Sequence, residues 1–547
     1  MTITAKFPGR CADCGGPISP GQQIEWEKGK PARHVDCSTV QEPTVESAEV
    51  VQSFTPTSEQ AQALDLFSSG ASLAIEAGAG TGKTSTLKLL AASTGRRGQY
   101  VAFNKAIVGE AGAKMPGTVT CSTAHSLAFR AVGRQYADRL QNSRRMRSVD
   151  IAARLRINAV DVDPIEGDKA KIISSSFLAG LAMTAVRRFC QSADMEIGAK
   201  HVPYIEGIDP IIDGKRTFVQ NNLVARSLVP ALQRAWDDLM NESGSLPFSH
   251  DHYLKAWHLS GPKIGADYIL FDEAQDANPV MVAIVSQQDH AQLVWVGDSQ
   301  QQIYTFTGAV NALAAVPADS RTFLTQSFRF GPAIAEVANG ILGRIEGAEL
   351  RIVGTPSIAS VVGPSADPDA ILTRTNATAV RTVLAEQASG GRPALVGGGD
   401  DIARFARGAQ ELQTHGFTDH PDLACFSDWG EVRRYVSEDE QGGDLRLNVS
   451  LVEDFGVEVI LDALDKTVRE ADATVIVSTA HKSKGREWSS VQIAGDFPTS
   501  DSGRLGDEEL RLLYVACTRA RRELDISAVE ALDARENGSQ SAGEASL

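Results

Sequence analysis

A glycine-rich loop held between an apolar run and a helical pattern restricts the fold of this chain more than any other feature. Leu73-Ala-Ile-Glu76 reads as a buried strand, Ala77-Gly78-Ala79-Gly80-Thr81-Gly82-Lys83-Thr84 follows it directly, and Thr86-Leu-Lys-Leu-Leu-Ala-Ala-Ser93 has helical apolar spacing. A strand that turns sharply into a helix aims several backbone N–H groups at one place, and the helix N-terminus adds partial positive charge there. Such a loop cradles phosphates, with Lys83 neutralising the β and γ oxygens and the Thr84 hydroxyl ligating Mg²⁺. Ala77 stands where the pattern usually has glycine. The expectation is an ATP site inside an α/β fold.

A second element completes the chemistry. Tyr268-Ile-Leu-Phe271-Asp272-Glu273-Ala-Gln275-Asp276 reads as a buried strand ending in acids. At that strand end Asp272 is placed to hold Mg²⁺ through water, and Glu273 to polarise the attacking water as general base.

Short β-branched runs (SLAIEA, YVAFN, YILFDEA, LVWVGD) alternate with helical patterns from Phe54 onward, which predicts a parallel sheet covered by helices. A second set (AILTRTN, TVIVSTAH, VQIAGDF, LDISAV) lies in the C-terminal part, so the core is expected twice, each copy carrying an insertion. The first lobe is expected over 54–130 and 245–328, interrupted by a helical insertion without short buried strands over 131–244. The second is expected over 329–377 and 470–530, interrupted by a short insertion over 378–469. Residues 531–547 are small and polar and are expected to be disordered.

Residues 1–40 read as a separate module, joined by a polar linker over 41–53. Cys11-Ala-Asp-Cys14 and His34-Val-Asp-Cys37 are two pairs of soft ligands, and Gly15-Gly16 permits the tight turn that brings such ligands together. A structural Zn²⁺ is expected there, with DNA or a protein partner as what the module touches; four protein ligands leave no open position for catalysis. Cys121, Cys190, Cys425 and Cys517 read as core residues. The formal charge of −16 argues against coating nucleic acid through bulk electrostatics and leaves a local groove open. No apolar run approaches the roughly 18 to 20 residues of a membrane span, and the N-terminus lacks the apolar core of a signal peptide, so a cytoplasmic location is expected.

Further runs follow in order. Val296-Gly297-Asp298-Ser-Gln-Gln301-Gln-Ile303-Tyr304 comes after the acidic strand. Thr57-Ser-Glu-Gln60 precedes the phosphate loop, and Leu324-Thr-Gln-Ser-Phe328-Arg329 opens the second half. Ser478-Thr-Ala-His481-Lys-Ser-Lys-Gly485-Arg-Glu487-Trp488 and Leu513-Tyr514-Val-Ala-Cys-Thr518-Arg519-Ala520 complete the series. Together these resemble the motifs of superfamily 1 helicases of the UvrD/Rep/PcrA type over residues 54–527. Phe103-Asn104-Lys105, Thr123-Ala-His125-Ser-Leu-Ala and Gln-Gln-Ile-Tyr-Thr-Phe are most similar to the F-box DNA helicase branch and its phage relatives. No F-box-like segment is evident.

The resemblance implies two RecA-like lobes with ATP between them. Arg329 and Arg519 would approach the γ-phosphate from the second lobe, and Gln301 would sense it or position water. Gln60 would hydrogen-bond adenine, Phe328 would stack on it, and Glu487 would contact the ribose. Phe103 and Phe306 match aromatics on which bases stack, while Asn104, His125 and His481 fall at positions that touch a DNA strand. Thr307 departs from the family, which usually has arginine there, and Ser85 replaces an arginine that in some relatives packs against adenine. The implied activity is 3′ to 5′ movement on single-stranded DNA and opening of duplex junctions. The same residues would also serve a translocase that strips recombinase filaments without much duplex opening, or an RNA motor. A nucleotide-gated adaptor is the alternative from another class, and intact Glu273, Arg329 and Arg519 argue against it.

Overall fold

The structure is a computed structural model. It describes residues 2–5, 9–12, 17–18, 22–26, 32–35, 55–102, 105–142, 146–162, 171–205, 208–209, 211–212, 215–303, 313, 316, 318–418, 420, 422–423, 428–438, 443–498 and 505–533. Two units are present, Met1–Thr57 and Ser58–Leu547. In the first, Thr2–Thr4, Gln23–Glu25 and Arg33–His34 form an antiparallel sheet, Gly9–Arg10 pairs with Pro17–Ile18, and Ala5, Cys11, Ile18 and Ile24 form a small core. The linker at 41–53 lies outside the described residues.

The second unit contains two six-stranded parallel sheets. The first is built from β1 (Leu73–Ala77), β2 (Gly98–Ala102), β3 (Val119–Thr123), β4 (Tyr268–Phe271), β5 (Gln292–Gly297) and β6 (Ser320–Leu324), in the order β6-β1-β5-β4-β2-β3. Parallel strands are buried on both faces, so their sequences run apolar without interruption. On one face Ile75, Tyr100, Leu270 and Val296 pack against Phe67 and Leu87 of the helices Ser58–Ser68 and Lys83–Ala92. On the other, Ala74, Val101, Phe271 and Trp295 pack against the helices Ser175–Gln191, Val219–Met240 and His250–Leu259. The helical insertion therefore shares one hydrophobic core with the sheet.

The second sheet comprises β7 (Val361–Val362), β8 (Ala370–Thr373), β9 (Pro393–Leu395), β10 (Val475–Thr479), β11 (Trp488–Ile493) and β12 (Ala520–Asp525), ordered β7-β12-β11-β8-β10-β9. Helices Pro332–Leu342 and Asp507–Cys517 cover one face through Ile334, Leu342, Leu512 and Val515. Helix Asn376–Ala388 covers the other through Ala379 and Val383 against Val477. The helices Asp400–His415, Trp429–Glu438, Gly443–Phe455 and Val457–Asp465 form a further cluster around Phe405, Val432, Val452 and Ile460.

Four details differ from the sequence-based expectation. β9 and the helix before it belong to the second sheet, inside the stretch assigned to the 378–469 insertion. As a three-residue edge strand with a proline, β9 carries too short an apolar run to stand out. The 131–244 insertion contains two short antiparallel pairs, Val160–Val162 with Lys171–Ile173 and Ile211–Ile212 with Lys215–Arg216. The last strand ends at Asp525, so only the first two residues of the LDISAV run belong to it. Helix Glu530–Asp533 crosses the start of the segment expected to be disordered. Of the cysteines, Cys190 and Cys517 are buried, Cys121 is half-buried and Cys425 lies outside the described residues. Among the described residues no helix is long and apolar enough to cross a membrane.

Candidate active site

The phosphate loop leaves β1 at Ala77, which is buried in the strand. Gly80 and Gly82 have φ of 73° and 79°, the left-handed region that glycine alone enters without steric cost. The loop is pressed against the segment that leads from β6 to the second sheet. Phe328 N–H donates to Gly80 O at 2.8 Å, Ser327 Oγ donates to Ala79 O at 2.9 Å, and a side chain at Gly80 would lie 2.6 Å from Arg329 Cβ. Thr81 folds back on the loop, its hydroxyl donating to Gly78 O at 2.9 Å. Thr84 sits half-buried in the first turn of the following helix.

Lys83 Nζ lies 3.0 Å from Glu273 Oε2. Burial alone lowers the pKa of this ammonium, but Glu273, Asp298 and Asp272 around it more than reverse the effect and keep it charged. Burial opposes ionisation of Glu273 as well. Lys83, Lys484 and a 2.6 Å hydrogen bond from Gln275 Nε2 outweigh it and hold the carboxyl at about 2. Asp272 moves the other way, to about 6, because it is buried beside the Glu273 charge. Its oxygens accept from the Tyr100 hydroxyl at 2.6 Å and from Glu273 N–H at 2.9 Å. Glu273 has φ of 54°, one of two non-glycine residues with positive φ among those described. Such strain persists only where the surroundings enforce it, and here it turns the carboxylate toward Lys83.

β5 ends in the neighbouring cluster. Asp298 is buried, and its Oδ2 accepts from Gln301 Nε2 at 2.6 Å and from the Tyr514 hydroxyl at 2.9 Å. Glu76, the lone charge in β1, accepts from Ser299 N–H and Oγ, both at 2.7 Å, and is pushed up to about 7 by burial and by Asp298.

The second sheet supplies cations to the same place. Arg519 is buried and donates to Val515 O, Arg486 O and Thr518 Oγ1. Burial and the adjacent Arg329 lower it to about 9, with Asp298 and Glu273 close enough to offset part of that. Arg329 pairs with Glu487 at 2.7 Å and donates to Thr518 O at 3.0 Å. Lys484 Nζ reaches Asp276 Oδ2 and Gln301 O, each at 2.7 Å. Ala79 and Ile303 complete the junction by packing into the second sheet's hydrophobic cluster. Gln60 is buried, donates to Thr86 Oγ1 at 3.2 Å, and lies with the half-exposed Phe328 near Gly82.

The two sheets thus bring Gln60, the phosphate loop, Asp272, Glu273, Gln301, Phe328, Arg329, Glu487 and Arg519 into one cleft. The sequence assigned no role to Glu76, Tyr100, Gln275, Asp276, Asp298, Lys484 or Tyr514. A single carboxylate in an otherwise apolar strand was the available signal for Glu76; Tyr100 lay inside the strand run YVAFN and the others unassigned inside the motif runs. The donors fit Mg²⁺: a hydroxyl at Thr84 and a carboxylate at Asp272 are hard oxygen ligands.

The expected nucleic-acid residues are more dispersed. Phe103, Asn104 and Phe306, like Thr307, lie outside the described residues. His125, in the first turn of helix Ala124–Ala131, is 3.0 Å from Asp251 Oδ1 and edge-on to Tyr253. His481 follows β10 and lines a cavity of about 760 Å³ with Arg374, Asn376, Lys482 and the acids Asp401 and Glu509. Of the zinc set, Cys14, Cys37 and the His34 side chain lie outside the described residues, and Cys11 is buried. Among the described residues no cluster of three or more His, Cys, Asp or Glu is arranged to hold a metal ion.

Comparison with known proteins bears on both halves of the cleft. An AAA domain family matches residues 60–307, and the UvrD-like helicase C-terminal domain family matches residues 446–531. The F-box DNA helicase protein 1 of Schizosaccharomyces pombe is 32% identical over 501 residues, covering 84% of this chain and 56% of that protein. The F-box DNA helicase 1 of Gallus gallus is 30% identical over 498 residues, covering 83% of this chain and 47% of that protein. The ATP-dependent DNA helicase UvrD2 of Mycobacterium tuberculosis is 25% identical over 556 residues, covering 82% of this chain and 75% of that protein. The chain spans about half the length of the two F-box relatives.

Proposed function

Because the chain belongs to the UvrD-like helicases of superfamily 1, we propose that it is an ATP-driven motor that moves 3′ to 5′ on single-stranded DNA and opens duplex ahead of it. The observation that carries this is the division of the cleft: Lys83, Asp272 and Glu273 come from the first lobe, Arg519 from the second, and Arg329 from the segment that joins them, where it bonds to Glu487 and Thr518. A site assembled from two lobes works only when they meet, so each turnover couples to relative movement of the lobes.

Glu273 is the base: its carboxylate stays ionised and takes the proton of the attacking water. Lys83 and the loop N–H groups hold the phosphates, while Arg329 and Arg519 meet the charge that develops on them. Thr84 and Asp272 would hold Mg²⁺, which when bound would add charge neutralisation at the phosphates. Gln301 orients water, Gln60 and Phe328 hold the base, and Glu487 the ribose. His125, His481, Phe103, Asn104 and Phe306 are the residues assigned to contact the strand, and stacking of a base on an aromatic side chain is worth roughly 1 to 3 kcal/mol.

Strand displacement from duplexes with a 3′ or a 5′ single-stranded tail, run beside RNA equivalents, tests activity, polarity and substrate together. Release from the 3′-tailed DNA alone is expected. ATP consumption without strand release would favour the filament-stripping translocase, and negligible turnover insensitive to DNA would refute the motor. For the N-terminal unit one structural Zn²⁺ on Cys11, Cys14, His34 and Cys37 is proposed, supported by the ligand spacing and the burial of Cys11. Elemental analysis is expected to find one zinc per chain, and its absence from fully folded protein would refute the site.

A further inference from the structure

The cleft contains one group from the second lobe that carries no formal charge and still reaches the centre of the first. Tyr514 projects from helix Asp507–Cys517, and its ring is packed in the second sheet's hydrophobic cluster. Its hydroxyl lies across the junction. There it accepts from the phosphate loop's Ala79 N–H at 3.2 Å and donates to Asp298 Oδ2 at 2.9 Å. The same Asp298 oxygen accepts from Gln301 Nε2 at 2.6 Å, and Asp298 N–H donates to Gln275 Oε1, whose amide holds Glu273. An unbroken hydrogen-bonded path therefore runs from the second lobe to Gln301 on one branch and to Glu273 on the other.

We propose that Tyr514 is a positioning residue: its hydroxyl fixes Asp298, and through it the Gln301 side chain, only while the two lobes are closed. This rests on the motor function proposed above. Three features favour the role over simple packing. The ring is packed in the hydrophobic cluster without need of the hydroxyl, and among the described residues the hydroxyl's hydrogen-bond partners, Ala79 N–H and Asp298 Oδ2, are on the other lobe. Asp298 is fully buried, so it has no water to replace a lost donor. Lys484, also from the second lobe, holds Gln301 by its main-chain oxygen at 2.7 Å. The second lobe thus holds the backbone of Gln301 through Lys484 and its side chain through Tyr514 and Asp298. The Asp298–Gln301 bond itself lies within the first lobe, as do the bonds of Asp298 to Gln300 N–H and Gln275 Oε1; opening the cleft withdraws the Tyr514 and Lys484 contacts that tighten it, so Gln301 is held most firmly for water in the closed state. The phenol stays protonated throughout, since burial and Asp298 raise its pKa well above the ordinary value.

Tyr514→Phe keeps the ring and deletes the hydroxyl. DNA-stimulated ATPase of the full chain is expected to lose about tenfold in kcat, with KM for ATP within about twofold, as for one hydrogen bond to a charged group that matters in the closed state. Gln301→Ala is expected to lose more, and Tyr514→Phe with Gln301→Ala to lose no more than Gln301→Ala alone, because the two act through one path. Asp298→Asn interrupts the same path from the first lobe and is expected to give the same split and the same non-additivity. An unchanged kcat in Tyr514→Phe, a loss confined to KM, or losses that multiply in the double variant would each overturn the proposal. The wild type and Lys83→Ala separate this from failure of the motor function. Absence of Lys83-dependent turnover in the wild type refutes the motor, whereas normal wild-type turnover with additive variants refutes only the Tyr514 path.

Discussion

The two lobes bring opposite charges to the cleft. The ends of β1, β4 and β5 present Glu76, Asp272, Glu273 and Asp298 around a single lysine, and three of these acids are pushed up by burial, Glu76 to about 7, Asp272 to about 6, and Asp298 above its ordinary value. The second lobe presents Arg329, Lys484 and Arg519, and burial beside Arg329 brings Arg519 down to about 9. Each half is poorly matched to its own burial, and the match improves where they meet, as at Lys484 and Asp276. Under the proposed motor function, this difference assigns the chemistry to the first lobe's acids and its timing to the groups that meet them from the second lobe.

The strongest way to break that division is to remove the first lobe's chemistry. Lys83→Ala and Glu273→Gln are each expected to lower DNA-stimulated ATP hydrolysis by about 10³-fold or more, measured as phosphate release. Glu273→Gln should still retain nucleotide in a filter-binding assay, and full activity in this variant would remove Glu273 as the base. Next comes the second lobe. Arg519→Ala and Arg329→Ala are expected to lose about 10²- to 10³-fold in kcat. Arg519→Lys should not restore it, because the planar fork that donates to Val515 O, Arg486 O and Thr518 Oγ1 has no equivalent in lysine.

A smaller effect probes the junction itself. Lys484→Ala leaves Asp276 as a buried, unpaired acid and should destabilise the fold by about 3 kcal/mol in urea unfolding. Removing Asp276 as well should recover part of the loss. The last concerns pH. Glu76 has a folded pKa raised from 4.5 to about 7, so the folded state binds the proton more tightly than the unfolded chain does. Its contribution therefore makes stability fall as pH rises from about 4.5 to 7, and level off above that. Glu76→Gln should remove a slope that totals roughly 3 kcal/mol over this interval, seen as the difference between the two proteins' urea midpoints against pH. Parallel curves would show that Glu76 titrates normally.

What the sequence made legible was local. The phosphate loop between β1 and its helix, and the acids at the end of β4, announce themselves because loop, strand and helix adjoin in the chain. The partners across the cleft do not. Tyr514 and Asp298 are separated by 216 positions, and Lys484 and Asp276 by 208, so neither pair leaves a spacing to read. Their motif strings were visible, but what each side chain touches depends on how two sheets meet. β9 escaped because an edge strand with one partner has little apolar requirement. The small pairs inside the helical insertion escaped because two or three residues of strand have no periodicity.

The position of β1 has a consequence for how the chain is made. The strand that carries the phosphate loop lies between β5 and β6, which are encoded far downstream of it, with the whole helical insertion in between. At a synthesis rate of about 5 to 20 residues per second, β1 waits on the order of ten seconds or more for its neighbours. During that interval its apolar edges are unpaired and open to wrong partners, a hazard for any exposed strand. The phosphate loop is thus begun early in synthesis, its strand gains both neighbours only after Leu324 has emerged, and its cleft is completed later still by Lys484 and Arg519.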